Sequence, residues 1–158
     1  MPTGAPHRLD TQPFVADFRP EHRAALAALA REVRFAANQV IFREGDDYSV
    51  LYLLVEGMVA LELDVPGHVL RVQTLYAGDV FDWSAVLRHT AKHFQARALD
   101  DVTAFAIEGE ELLAAFDRDP SFGMAFMLRL MGVVSERLRA TRLQLLDMYS
   151  PVAKRAGA

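Results

Sequence analysis

The chain has 158 residues, the length of one ordinary domain with short additions. Hydrophobic residues make up 52% and charged residues 24%, a composition typical of a folded globular chain and not of a disordered one. There is no cysteine, which excludes disulfide frameworks, thiolate nucleophiles, iron–sulfur clusters and cysteine-based zinc sites. The net charge of −4 gives no overall basic surface for nucleic acid or an anionic membrane.

The beginning of the sequence predicts neither a secretion signal nor a membrane anchor. Residues 1–19 contain three prolines and no apolar stretch of the kind that a signal peptide requires. No apolar run in the chain approaches the roughly 20 residues needed to span a bilayer. We therefore expect a cytoplasmic protein that makes no contact with a membrane and has a flexible tail at residues 1–19.

A helix and then a series of strands are predicted next. Pro20, a residue favoured at the first position of a helix, opens an Ala- and Leu-rich stretch that predicts a short helix to Arg31. Seven β-type runs follow, separated by turn residues. They are Val33–Ala36, Val40–Arg43, Val50–Val55, Met58–Leu63, Val69–Leu75, Phe94–Leu99 and Val102–Ile107. Strands at such close spacing favour an antiparallel barrel or sandwich over alternating β-α-β units.

The rest of the chain predicts two helices, over 109–116 and 121–149, separated by Asp119-Pro120. The longer one carries positions spaced alternately four and three residues apart, which is the a/d seam of a coiled coil. They are Met127, Met131, Val134, Leu138, Thr141, Leu145 and Met148. A second stripe comprises Phe122, Phe126, Leu130 and Val133. We favour a homodimer through 121–149, with one stripe on the β-domain and the other on a twin subunit. The alternative is a single amphipathic helix packed on its own barrel.

Several short motifs occur in an order that resembles a known family. They are Val40–Asp46, Tyr52–Val59, Gly78–Phe81, Ala96–Ala98 and Asp119-Pro120. Together they resemble the cyclic-nucleotide-binding domain at the front of the cyclic-AMP receptor protein class of bacterial regulators. The resemblance implies a mainly β fold with flanking helices over 20–149, with residues 150–158 as a tail. The implied core is a β-roll, similar to a double-stranded jelly roll, with a short N-terminal helix, a cassette helix and a long C-terminal helix.

The phosphate-binding cassette departs from the pattern of that family. The usual pattern is Phe-Gly-Glu, a small helical turn and Pro-Arg, in which Glu takes the ribose hydroxyl and Arg the cyclic phosphate. Here Asp82 stands in the Gly position, Trp83 in the Glu position, and Ala91-Lys92 replaces Pro-Arg. The Trp83 indole can only donate, Lys92 lacks the bidentate fork of arginine, and Asp82 adds negative charge near the phosphate position. We therefore expect that ordinary cyclic AMP is not the ligand.

The resemblance and the local chemistry give a set of candidate ligand-binding residues. They are Phe81, Asp82, Trp83, Ser84, Ala85, Lys92, His93 and Arg97. Trp83 either stacks on a planar ligand or fills the nucleotide space as core, and Ser84 either caps the cassette helix or touches the ligand. Lys92 and Arg97 are the candidate partners of an anion. Arg97 alternates with two alanines on a strand, and we slightly favour an inward orientation for it.

Metal and cofactor chemistry find little support in the sequence. His89 and His93 lie four residues apart, but in a loop that runs into a strand, so structural or solvent-facing histidines are favoured over metal ligands. Arg88 is expected at the surface of the same loop. We expect neither a bound metal nor a cofactor.

The function is predicted from the altered cassette and from missing catalytic motifs. Trp83-Ser84 followed by Phe94–Ala98 resembles a branch of stand-alone bacterial proteins that lack the DNA-binding half of the regulators. Nine residues after Tyr149 are too few for a helix-turn-helix, so direct DNA binding is not expected. The sequence has no nucleophile elbow, phosphate-cradling loop or His-Glu-x-x-His motif.

We therefore predict a non-enzymatic regulatory or sensor protein that binds a small molecule other than cyclic AMP, or none, and passes its output to a protein partner. Two alternatives are left open. One is a genuine cyclic-nucleotide-binding signalling protein with an unusual pocket. The other is a ligand-free dimeric scaffold whose pocket is filled by Trp83 and its neighbours.

Overall fold

The structure, a computed structural model, describes residues 9–47, 49–87 and 92–156, with the backbone alone for residues 150–156. The strands are β1 (Arg31–Phe35), β2 (Val40–Phe42), β3 (Val50–Glu56), β4 (Val59–Val65), β5 (His68–Leu75), β6 (Val80–Phe81), β7 (Gln95–Ala98) and β8 (Val102–Glu108). The helices are α1 (Pro20–Leu29), α2 (Gly109–Arg118) and α3 (Pro120–Ala156), with short 3-10 turns at Pro13–Val15 and, as the cassette helix, Trp83–Val86.

The strands form two four-stranded antiparallel sheets around a shared core. Their orders are β1-β8-β3-β6 and β2-β7-β4-β5. Side chains from both sheets meet in one buried cluster, to which Tyr52 and Phe81 contribute from the first sheet and Phe42 and Ala96 from the second. This is the β-roll with flanking helices that the sequence predicts, and the predicted fold class is confirmed.

Strand positions agree with the sequence prediction better than helix ends do. All seven predicted strands are present, each bounded within two residues of its predicted limits. The two-residue strand β6 was not predicted, because a run of that length has no readable periodicity. Helix α1 ends at Leu29, since Arg31 already begins β1. The sequence predicts that the long helix ends at residue 149 and that residues 150–158 form a tail, but α3 continues to Ala156. Pro151 lacks a backbone N–H, so it removes one helical hydrogen bond without ending the helix.

Residues 9–18 are packed into the domain. Leu9, Phe14 and Val15 are at most 1% exposed, and the rings of Phe14 and Phe18 meet edge to face at 5.8 Å. Burial of these apolar side chains offsets the entropy lost on ordering the segment. The expectation of a flexible tail is therefore wrong for these residues, while residues 1–8 lie outside the described part of the chain.

From Met124 onward the chain forms a compact unit of its own, which is the greater part of α3. Within this unit Phe126 and Leu130, from the second predicted stripe, are buried. Side chains of the a/d seam are exposed instead, with Met131 at 65%, Leu138 at 59% and Met148 at 72%. Among the described residues, no helix combines the length and hydropathy that crossing a bilayer requires.

Candidate functional site

The cassette begins at a residue with unusual backbone geometry. Asp82, directly after β6, has φ +63° and ψ +45°, the left-handed region that glycine enters freely and that aspartate and asparagine tolerate better than other side chains. Its carbonyl oxygen accepts the Ala85 backbone N–H at 3.2 Å and so starts the cassette helix. Asp82 thus makes a turn that glycine enters most easily, and it brings a carboxylate to the start of the cassette helix.

That carboxylate forms a buried ion pair with the cassette lysine. The Nζ atom of Lys92 donates to Oδ2 of Asp82, and their side chains are 2% and 3% exposed. The Ser84 hydroxyl donates to Oδ1 of the same carboxylate at 2.7 Å. Both oxygens of Asp82 are therefore bound by groups of the cassette itself.

Lys92 is also fixed from outside the cassette. Its carbonyl oxygen accepts the Gly45 N–H at 2.9 Å, and its own N–H donates to the Asp46 carbonyl at 3.3 Å, so the turn after β2 holds its backbone. Its ammonium lies 4.8 Å from the centre of the Phe42 ring, a cation–π distance. The Lys92 ammonium is thus positioned by Asp82 of the cassette and by β2 with the turn that follows it.

The electrostatics of the pair are dominated by burial. Desolvation raises the pKa of Asp82, and the hydrogen bonds from Lys92 and Ser84 lower it by less. The ionised form of Asp82 is therefore destabilised by the loss of hydration more than it is stabilised by Lys92 and Ser84.

Apolar side chains surround the cassette. Phe81 is fully buried and stacks on Tyr52 with centroids 5.0 Å apart. Ala85 packs against the start of α2, where a Cβ at Gly109 would lie only 2.4 Å from the Ala85 carbonyl oxygen. The cassette helix therefore rests directly on α2. Trp83 and Ser84 on the same helix are half-buried.

Arg97 does not face the cassette. Its strand neighbours Ala96 and Ala98 belong to the buried cluster, and the alternation of a strand places Arg97 on the opposite face. There it makes a two-pronged bond to Glu62 on β4, with Nε–Oε1 at 2.9 Å and Nη2–Oε2 at 2.7 Å. The favoured inward orientation of Arg97 is therefore wrong, because the two small residues occupy the inner face.

Glu62 is more buried than its sequence pattern predicts. Apolar and acidic residues alternate over Leu61–Asp64, a pattern that predicts a strand with Glu62 on a solvent-exposed face, yet the Glu62 side chain is 4% exposed. Arg97 holds the pKa of Glu62 below its ordinary value through the paired hydrogen bonds, and Glu62 in turn raises the pKa of Arg97. Gln95 adds a third hydrogen bond to this carboxylate at 3.3 Å. The sequence shows an acid and an arginine on two predicted strands, but the pairing of those strands is seen only in the structure.

The positions of the other candidate residues differ in what the structure describes. His93 is exposed, while Arg88, His89 and Ala91 lie outside the described residues. Among the side chains that the structure describes, no three histidines or carboxylates come close enough to hold a metal ion.

Comparison with known proteins identifies the family of this chain. The model of the family described as the cyclic nucleotide-binding domain matches residues 32–119, more than half of the chain. The chain belongs to the cyclic nucleotide-binding domain family. The matched segment runs from β1 to the end of α2 and so includes both ion pairs.

Three similar proteins illustrate the range of this family. A solved structure of a candidate cyclic nucleotide-binding protein from Geobacter metallireducens is 27% identical, with TM-score 0.75, covering 85% of this chain and 98% of that one. The catabolite activator protein of Thermus thermophilus is 26% identical, with TM-score 0.70, covering 88% of this chain and 63% of that one. A candidate potassium channel protein of Rhodopseudomonas palustris is 26% identical over 98 residues, which are 62% of this chain. The match spans about a quarter, 24%, of that channel's length.

Proposed function

We propose that this cyclic nucleotide-binding domain is a non-enzymatic regulatory domain whose effector is not cyclic AMP. The observation that carries the proposal is the ion pair between Asp82 and Lys92, in which the cassette's lysine is already bound by a carboxylate of the same chain. Trp83 supports it further, since an indole cannot accept a hydrogen bond from a ribose hydroxyl. The ligand is a different small molecule, or the domain acts without one.

Electrostatics give the size of the obstacle that a cyclic phosphate meets. A phosphate that reached Lys92 would also lie beside the Asp82 carboxylate. Two like charges about 4 Å apart repel by roughly 4 kcal/mol at an effective dielectric constant near 20, and this repulsion offsets the attraction of the phosphate to the Lys92 ammonium. Lysine also lacks the paired donors with which arginine grips a phosphate.

Isothermal titration of the wild-type protein with cyclic AMP and cyclic GMP tests the proposal. We expect no saturable heat up to millimolar nucleotide. A dissociation constant in the micromolar range would contradict the proposal and support a genuine cyclic-nucleotide receptor. Mass spectrometry of small molecules that co-purify with the protein then distinguishes a domain with another ligand from a ligand-free scaffold.

We further propose that the protein is a homodimer through α3. The support is the heptad spacing together with exposed side chains at Met127, Met131, Leu138 and Leu145, since apolar rows of this kind are characteristic of helix–helix seams. Sedimentation equilibrium of M131E/L138E is expected to show a monomer where the wild type shows a dimer. The matched control L143E changes a leucine of 49% exposure that lies off the seam, and it should stay dimeric. A monomeric wild type, or equal loss of the dimer in both variants, would refute the seam.

A further inference from the structure

We propose that Asp82 is an internal counter-anion that occupies the cassette's own anion site, and that it is the residue that sets the site's specificity against cyclic phosphates. This inference rests on the proposed function and identifies the side chain responsible for it. In this arrangement Lys92 remains a competent anion-binding group, and small oxyanions are excluded because a covalently attached carboxylate holds their place.

The contacts of the carboxylate are those that an anionic ligand would make. Oδ2 accepts from the buried ammonium of Lys92, and Oδ1 accepts from the Ser84 hydroxyl at 2.7 Å. Such charge-assisted hydrogen bonds are the usual means of holding a carboxylate or a phosphate oxygen. Because Asp82 is part of the chain, it competes at a high effective concentration, and a free anion must displace it.

The backbone explains how this residue could be exchanged without loss of the turn. At φ +63° most side chains are strained, whereas glycine adopts the conformation freely and asparagine tolerates it. Replacement of Asp82 by glycine therefore keeps the entry to the cassette helix and removes only the carboxylate. Replacement by asparagine keeps the side-chain volume and removes only the charge.

Removal of the carboxylate would take away the buried counter-ion of the Lys92 ammonium. Its side chain is 2% exposed and lies over the Phe42 ring, so water is a poor substitute for the lost partner. A buried cation without its counter-ion is strongly destabilising, and binding of an external anion relieves that cost. On the same segment Trp83 and Ser84 are half-buried, whereas the Asp82 and Lys92 side chains are 3% and 2% exposed.

The test compares the wild type with D82G, D82N and the double variant D82G/K92M, using inorganic phosphate and cyclic AMP as probes in isothermal titration. We expect D82G to bind at least one probe at least tenfold more tightly than the wild type does. D82N should show a smaller gain in the same direction. D82G/K92M should lose the gain, because its cation is absent. Circular dichroism confirms that each variant is folded.

Two results would overturn the inference: a folded D82G or D82N that binds neither probe better than the wild type, or a gain that survives in D82G/K92M. If D82G does not fold, the D82N result decides. Tight binding of cyclic AMP by the wild type is a separate outcome that refutes the proposed function. Weak binding by the wild type with no gain in the variants leaves that function standing and refutes only the role of Asp82.

Discussion

Among the described residues of the β-roll, two buried carboxylates are each paired with a cation, and their pKa values are shifted in opposite directions. On the outer face of β7, Arg97 meets Glu62 with two short hydrogen bonds, and the pKa of Glu62 is lowered. In the cassette, Lys92 meets Asp82 with one ammonium, and burial raises the pKa of Asp82 despite that contact. For Glu62 the hydrogen bonds from its partners lower the pKa more than burial raises it. For Asp82 burial raises the pKa more than the hydrogen bonds lower it.

The opposite pKa shifts of Glu62 and Asp82 distinguish a structural ion pair from a candidate functional one. The pair of Glu62 and Arg97 joins β4 to β7, and the lowered pKa of Glu62 favours the ionised carboxylate that Arg97 binds. A pair in which the charge is incompletely compensated resembles the perturbed groups that occur at binding sites, where a ligand can supply what the protein does not. The following variants test this contrast, from the largest expected effect to the smallest.

Loss of the outer arginine should have the largest effect. R97M leaves the Glu62 carboxylate, 4% exposed, without its main partner, and removing one member of a buried pair costs about 3 kcal/mol of unfolding free energy. Urea denaturation followed by tryptophan fluorescence measures the change. The double variant E62Q/R97M is the control and should be the more stable of the two, because no unpaired charge remains. A loss below about 1 kcal/mol in R97M would place the outer pair among ordinary surface contacts.

Loss of the inner lysine should cost less, about 2 kcal/mol at pH 7, because Asp82 can take up a proton in place of its partner. In K92M the pKa of Asp82 should rise further, since the lowering hydrogen bond is absent. The same denaturation series at pH 7 and pH 5 measures this. K92M should recover stability relative to the wild type at pH 5, whereas R97M should recover less. Equal losses at both pH values in K92M would contradict the imbalance.

The slope of stability against pH should show the smallest effect, with opposite signs for the two acids. The pKa of Glu62 is lowered from 4.5, so its stabilisation is present above that value and is lost as the pH falls through the lower folded pKa. The pKa of Asp82 is raised from 3.8, so its ionisation costs stability as the pH rises through the higher folded pKa. E62Q should therefore flatten the acid-side loss, and D82N should remove the opposing trend. Matching slopes in the two variants would contradict the contrast.

The sequence predicted the framework well because strand periodicity and turn residues are local signals. It also identified Asp82 and Lys92 as departures from the family pattern at the phosphate position. It did not predict that the two would pair, because they lie ten residues apart across a segment with no regular periodicity. The partnership of Arg97 with Glu62 depends on the register between β4 and β7, which a single sequence does not reveal.

The most direct test of the central claim is a crystal structure of the wild-type protein grown with millimolar cyclic AMP. We expect the Asp82 carboxylate to remain bound to Lys92 and Ser84, with no nucleotide in the roll. Electron density for a cyclic phosphate seated against the Lys92 ammonium, with Asp82 turned away from it, would contradict the claim.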